Sequence, residues 1–230
     1  MKLFVWDFHG VLEKGNDEIV LEITNEALKQ HDYSRRMTEQ ENHFLSGHRW
    51  HEYFSFLMPE LEEEQCLKLQ CTCIEISQGR WEVIAKHIRL NDHADTVLES
   101  IHNSEHHQIL ISNTQPEGLD IFVKMVNIGR YFPLSHRFGV NTRDQIKLTK
   151  QESLNRYLKD NDLFDTVVSI GDSPGDMALI HERIDPKGIG YLYTHPGKEH
   201  RPTNCHYKIN DLRMVLQEIS GEMACNSTLD

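Results

Sequence analysis

Residues Met1 to Leu12 read MKLFVWDFHGVL, and this stretch decides the architecture. Leu3, Phe4, Val5 and Trp6 form an apolar run bounded by Gly10, the pattern of a buried strand. Such a strand delivers Asp7 to its carboxyl end, and Gly10 lets the backbone turn away. In open α/β sheets chemistry sits just beyond the carboxyl ends of the strands. Asp7 is therefore a candidate nucleophile or metal ligand. A carboxylate there is also an ordinary turn residue, so the reading depends on whether further units of the same kind exist.

Two do. Val167, Val168, Ser169 and Ile170 form a second β-branched run, followed by GDSPGDM from Gly171 to Met177. Gly171, Pro174 and Gly175 make a tight loop carrying Asp172 and Asp176. Two carboxylates on a rigid loop suit a hard cation such as Mg²⁺, which prefers oxygen ligands. Singly, Asp172 reads as a turn residue and Asp176 as a helix N-cap; the matching unit at the N-terminus favours the metal. Between them, Ile109, Leu110 and Ile111 run into Ser112-Asn113-Thr114, where a hydroxyl and an amide can hold a phosphate oxygen with help from backbone N–H groups. Lys147 and Lys150 follow, just before a helical segment from Gln151 to Leu158. A lysine brought into such a site would neutralise a nucleophilic carboxylate and its phosphate.

With DFHGVL at 7–12, ISNT at 111–114, a lysine at 147 or 150 and GDSPGD at 171–176, the chain resembles the haloacid dehalogenase-like hydrolase superfamily. The resemblance spans Lys2 to about Ile219. It implies that Asp7 is the nucleophile and forms an aspartyl-phosphate. It also implies Mg²⁺ held by Asp7, the backbone carbonyl of His9 and Asp172, with Asp176 assisting directly or through water. Ser112 and the lysine would hold the phosphoryl group, with Asn113 and Gly10 beside them. Lys150 fits better than Lys147 on its interval to the acidic loop and its LTKQESL context. One departure stands out. The family's phosphatases carry an Asp two residues after the nucleophile as general acid and base, and here that residue is His9. An imidazole titrates nearest neutral pH, so His9 inherits the proton-transfer role.

The implied function is hydrolysis of a small, soluble phosphate monoester. A phosphonatase or phosphomutase using the same site, or an inactive binding protein on this scaffold, are the alternatives. Retention of all three acidic positions argues against the inactive scaffold, because nothing structural needs them together.

The chain has 230 residues and a formal net charge of −12. That balance argues against nucleic acid or an anionic membrane as partner. No apolar run approaches the roughly 20 residues of a membrane span, and the catalytic strand starts at once. The 5 cysteines include no CxxC pair, which suits reduced thiols and a cytoplasmic location. The expected partner is a small phosphorylated metabolite, and the expected state a monomer or homodimer. His43, His48 and His51, and His102, His106 and His107, lack the spacing of a zinc site.

Between the first two strands, helical periodicity runs through Asp17–Gln30, His48–Leu57, Leu61–Ile76 and Arg80–Ile88. Thr38 is a plausible N-cap, with Glu41 completing a capping box. The expected organisation is α/β: a Rossmann-like parallel-sheet core of residues 1–13 and 104–220, an inserted α-helical cap of residues 14–103, and a frayed tail at 221–230. Trp50, Tyr53 and Phe54 are expected in the core of the cap, with one of them or Arg49 reaching substrate. After Ser112, strand-helix alternation demands a parallel sheet with right-handed crossovers.

Overall fold

The computed structural model describes residues 1–140, 149–181, 185–195 and 202–220. Lys147 and the expected tail at 221–230 lie outside these residues. The central sheet is built from β1 (Lys2–Trp6), β4 (His107–Ser112), β5 (Arg137–Gly139), β6 (Thr166–Gly171), β7 (Lys187–Tyr193) and β8 (Tyr207–Ile209). Its order is β5-β4-β1-β6-β7-β8, and every pairing is parallel. A parallel sheet is covered on both faces, which is why its strands read as continuous apolar runs. Alternate residues of β1 obey this: Phe4 and Trp6 belong to one core cluster, Leu3 and Val5 to the other.

The first face is covered by α6 (Ala94–His102), α7 (Pro116–Met125) and a 3-10 helix at Leu212–Glu218, through Leu98, Val123 and Val215. The opposite face is covered by α8 (Lys150–Asp160), which contributes Leu154 and Tyr157. The GDSPGD loop opens the short helix α9 (Pro174–Met177).

Five helices precede α6: α1 (Asn16–Gln30), α2 (Glu39–Leu45), α3 (Trp50–Leu57), α4 (Glu63–Gln78) and α5 (Trp81–His87). They pack on one another around α4 and α1. The Thr38–Glu41 capping box forms, with the Thr38 side chain accepting from the Glu41 N–H and the Glu41 side chain accepting from the Thr38 N–H. Two strands carry the chain out to these helices and back: β2 (Glu13–Lys14) pairs antiparallel with β3 (Arg89–Leu90). The buried side chain of Asn91 fastens the pair, donating to the Val11 carbonyl at 2.8 Å while its backbone N–H donates to Leu12.

Three local features refine the outline. Helix α6 falls within the expected cap segment 14–103, yet it packs on β4 and on the 3-10 helix at Leu212–Glu218. Its apolar face of Val97, Leu98 and Ile101 matches the sheet. A 3-10 turn at Leu134–His136 follows Pro133, and strand pairing starts only at Arg137. The last helix is 3-10 over Leu212–Glu218, capped by the Asp211 side chain.

Candidate active site

Strand β1 ends at Trp6, so Asp7 emerges at the carboxyl edge of the sheet, its N–H still bonded to Ile170 of β6 at 2.9 Å. Adjacent strands end at the same edge. Strand β4 delivers Ser112, and β6 delivers the loop with Asp172 and Asp176. Carboxylate oxygens of Asp7, Asp172 and Asp176 lie within 4.8 Å of one another. The loop is tight because nothing larger fits. A Cβ on Gly171 would lie 2.1 Å from that of Asp176, and one on Gly10, which has φ +78°, would lie 2.4 Å from Asp172 Oδ2.

Lys150 is the first residue of α8, whose N-terminus is fixed by a Thr149–Glu152 capping box. Its ammonium is buried and donates to Asp7 Oδ1 at 2.9 Å and to Asp176 Oδ1 at 2.7 Å. Asp176 Oδ2 accepts from the hydroxyl and the N–H of Ser173, the N-cap of α9. Both oxygens of Asp176 are therefore engaged, and this carboxylate holds the lysine and the loop in place. Asp172 differs: Oδ2 pairs with His195 Nε2 at 3.1 Å, but Oδ1 is buried with no hydrogen-bond partner.

Three buried carboxylates face one lysine, and the charges do not balance. Burial, then the Asp176 and Asp172 carboxylates, push the Asp7 carboxyl up to about 7 against the opposing pull of Lys150. Burial alone would lower the Lys150 ammonium, but Asp176 and Asp7 outweigh it and hold it above the usual lysine range. A divalent cation removes such an imbalance. The acidic triad, with an orphaned buried oxygen on Asp172, is an all-oxygen donor set that fits a hard metal ion.

On the other side, His9 Nδ1 meets Glu13 Oε1 at 2.9 Å and His9 Nε2 meets Thr114 Oγ1 at 2.9 Å. Glu13 is fully buried, and its Oε1 also accepts from the Gly10 N–H. An ionised carboxylate only accepts, so it assigns the Nδ1 proton and leaves Nε2 to exchange one. Thr114 links His9 to Ser112, whose hydroxyl donates to Thr114 Oγ1 at 3.2 Å. Asn113 turns toward the helical unit and donates to the Gly47 carbonyl at 2.8 Å.

The sequence missed Glu13, Thr114 as a ligand of His9, and His195. His195 was accessible by rule, since it follows the carboxyl end of β7 beside β6. Nothing in the sequence separates Glu13 from an ordinary solvent-facing acid.

Asp7, His9, Ser112, Asn113 and Lys150 open onto a cavity of about 380 Å³ between the sheet edge and the helical unit. Arg49 and Trp50 line it, as does Tyr53, whereas Phe54 is fully buried.

The family model described as haloacid dehalogenase-like hydrolase matches residues 4–181, which carry all these elements except His195. The chain belongs to the haloacid dehalogenase-like hydrolase family. No curated protein matches it by sequence. Its fold is that of other family structures. A haloacid dehalogenase-like hydrolase from Streptococcus pneumoniae superposes with a TM-score of 0.74 at 14% identity, covering 94% of this chain and 97% of that one. A predicted phosphatase from Clostridium acetobutylicum gives 0.75 at 12% identity, covering 95% and 97%. A predicted phosphoglycolate phosphatase from Haemophilus somnus gives 0.74 at 14% identity, again covering 95% and 97%. Among the described residues of this hydrolase, no helix is long and apolar enough to cross a membrane.

Proposed function

We propose that this hydrolase is a Mg²⁺-dependent phosphatase that cleaves a phosphate monoester through an aspartyl-phosphate on Asp7. The observation that carries the reading is the meeting of Asp7 and Lys150 with an acidic pair whose Asp172 Oδ1 is buried and unpaired. Neighbours named as phosphatases support the same reaction class.

Both hydrogen bonds to Asp7 fall on Oδ1, from the Phe8 N–H and from Lys150. Oδ2 is left to attack phosphorus in line with the leaving oxygen. Lys150 and the Ser112 hydroxyl offset charge on the equatorial oxygens. Asp7, the His9 carbonyl and Asp172 would hold Mg²⁺, with Asp176 acting through water since its oxygens are engaged. The ion would supply charge neutralisation between the carboxylates and the incoming phosphate. His9 donates a proton to the leaving alcohol from Nε2 and later takes one from the attacking water. Glu13 holds its ring and stabilises the imidazolium. Helices α1–α5 serve as the cap, excluding bulk water during transfer. Lys150 is the lysine this reading uses, on its bonds to Asp7 and Asp176.

The test is release of inorganic phosphate from simple monoesters by purified protein. Activity should vanish reversibly with chelator, and beryllium fluoride, which mimics an acyl-phosphate, should bind wild type but not Asp7→Asn. Full turnover by well-folded Asp7→Asn, or in excess chelator, would overturn the proposal. Phosphoryl return to substrate without free phosphate would indicate a mutase instead.

A further inference from the structure

The cavity above Asp7 does not have the walls of a site for a polar metabolite. The geometry points to a substrate whose alcohol is uncharged and apolar, with at least one aromatic ring. This inference rests on the phosphatase reading for its chemistry, but its evidence is the wall itself.

The wall begins at the catalytic loop. The His9 ring meets Phe122 edge-on, centroids 4.9 Å apart, and Phe122 meets Trp81 edge-on at 5.5 Å. These rings form a ladder from the proton donor up to helix α5. Phe122 is buried, and the half-buried rings of His9 and Trp81 at the two ends of the ladder are the ones a substrate ring can pack against. Ile23, Ile84 and Trp50 continue the surface across α1, α5 and α3.

Apolar side chains predominate on this wall, and two of the polar groups among them are already engaged. The Ser77 hydroxyl already donates to the Cys73 carbonyl at 2.8 Å, and the Asn113 amide donates to Gly47. Hydroxyls buried without partners are rejected strongly by such walls. The Trp50 indole N–H is buried with no partner. It fits a single acceptor on an otherwise apolar alcohol.

Charge does not favour a second anion. Away from the catalytic residues, the carboxylates and guanidinium on the wall are Asp17, Glu117 and Arg49, two acids to one base. That balance disfavours an alcohol carrying a carboxylate or another phosphate. Size gives the upper bound. A void of about 150 Å³ accepts a benzene ring, so about 380 Å³ accommodates a phosphoryl group with an alcohol of one or two rings.

The experiment compares benzyl phosphate with glycerol 1-phosphate and phosphoglycolate, all esters of primary alcohols, at saturating Mg²⁺. Acetyl phosphate serves as a control that needs no alcohol pocket. Burying one ring at about 25 cal/mol per Å² predicts kcat/KM for benzyl phosphate about 50-fold above glycerol 1-phosphate. Trp81→Ala should narrow that preference at least fivefold, mainly through KM. Calorimetric binding of the same three esters to Asp7→Asn should follow the same order. Equal or better use of the polar esters, together with equal or tighter binding, overturns the inference. Failure to hydrolyse even acetyl phosphate overturns the phosphatase reading alone, and the binding order then decides the character of the wall.

Discussion

Consider the metal-free protein as pH rises. The Asp7 carboxyl titrates at about 7 in the folded chain, against 3.8 for the free group. A folded-state pKa above the unfolded one means that the protonated form is favoured on folding. Its contribution is therefore fully present below pH 3.8 and is lost as pH rises through 7. Between pH 5 and pH 8 the loss integrates to about 2.6 kcal/mol, from about two pKa units at 1.36 kcal/mol each. Lys150 keeps its proton over this range and adds no slope. Asp7→Asn removes the titration. Its stability relative to wild type should thus improve by about 2.6 kcal/mol from pH 5 to pH 8, or roughly 5–10 °C in Tm for a chain of this size. Urea or thermal unfolding of both proteins in excess chelator measures this directly. Saturating Mg²⁺ should erase most of the wild-type slope, because the bound form needs Asp7 ionised. A difference between the two proteins that stays flat with pH would refute the claim that burial and neighbouring carboxylates destabilise ionised Asp7.

The same proton predicts that Mg²⁺ affinity, measured by calorimetry in two buffers, rises toward tenfold per pH unit below 7 with proton release, and that Asp172→Asn weakens it at least about tenfold; pH-independent binding would contradict the assignment. Gly10→Ala should destabilise by about 1–3 kcal/mol and also impair metal binding, because its Cβ would stand 2.4 Å from Asp172 Oδ2 at a φ of +78°; wild-type Tm and affinity would count against this close approach. Thr149→Ala removes the cap that sets the start of α8 at Lys150, and should lower stability by about 1 kcal/mol in a melting experiment.

What the sequence revealed follows from how physical constraints act. The sheet was legible because its central strands are buried on both faces, so Leu3–Trp6 and Ile109–Ile111 are uninterrupted apolar runs and Val167–Ile170 is broken only by the buried Ser169. Asp7, Ser112 and Asp172 were legible because the carboxyl ends of those runs mark one edge. The contacts of Lys150 with Asp7 and Asp176 are long-range, which is why the sequence left Lys147 and Lys150 both open. Helix α6 was assigned to the wrong unit because amphipathic periodicity shows that a helix has a buried face without naming what buries it. Glu13 was invisible for a related reason: a charged side chain followed by Lys14 reads as surface until the fold seals it. The apolar lining around Trp50 and Trp81 likewise reads as core, and only the cavity distinguishes the two.

The position of Glu13 has a mechanical consequence. This residue pairs with Leu90 in the two-stranded ribbon through which the chain passes to the helices and back, and its carboxylate grips the imidazole of His9. In the proposed mechanism, a swing of helices α1–α5 about that ribbon would load the backbone of Glu13 and, through the bond at Nδ1, the imidazole of His9. Closure of the cap and the aim of the proton donor would then be geared together.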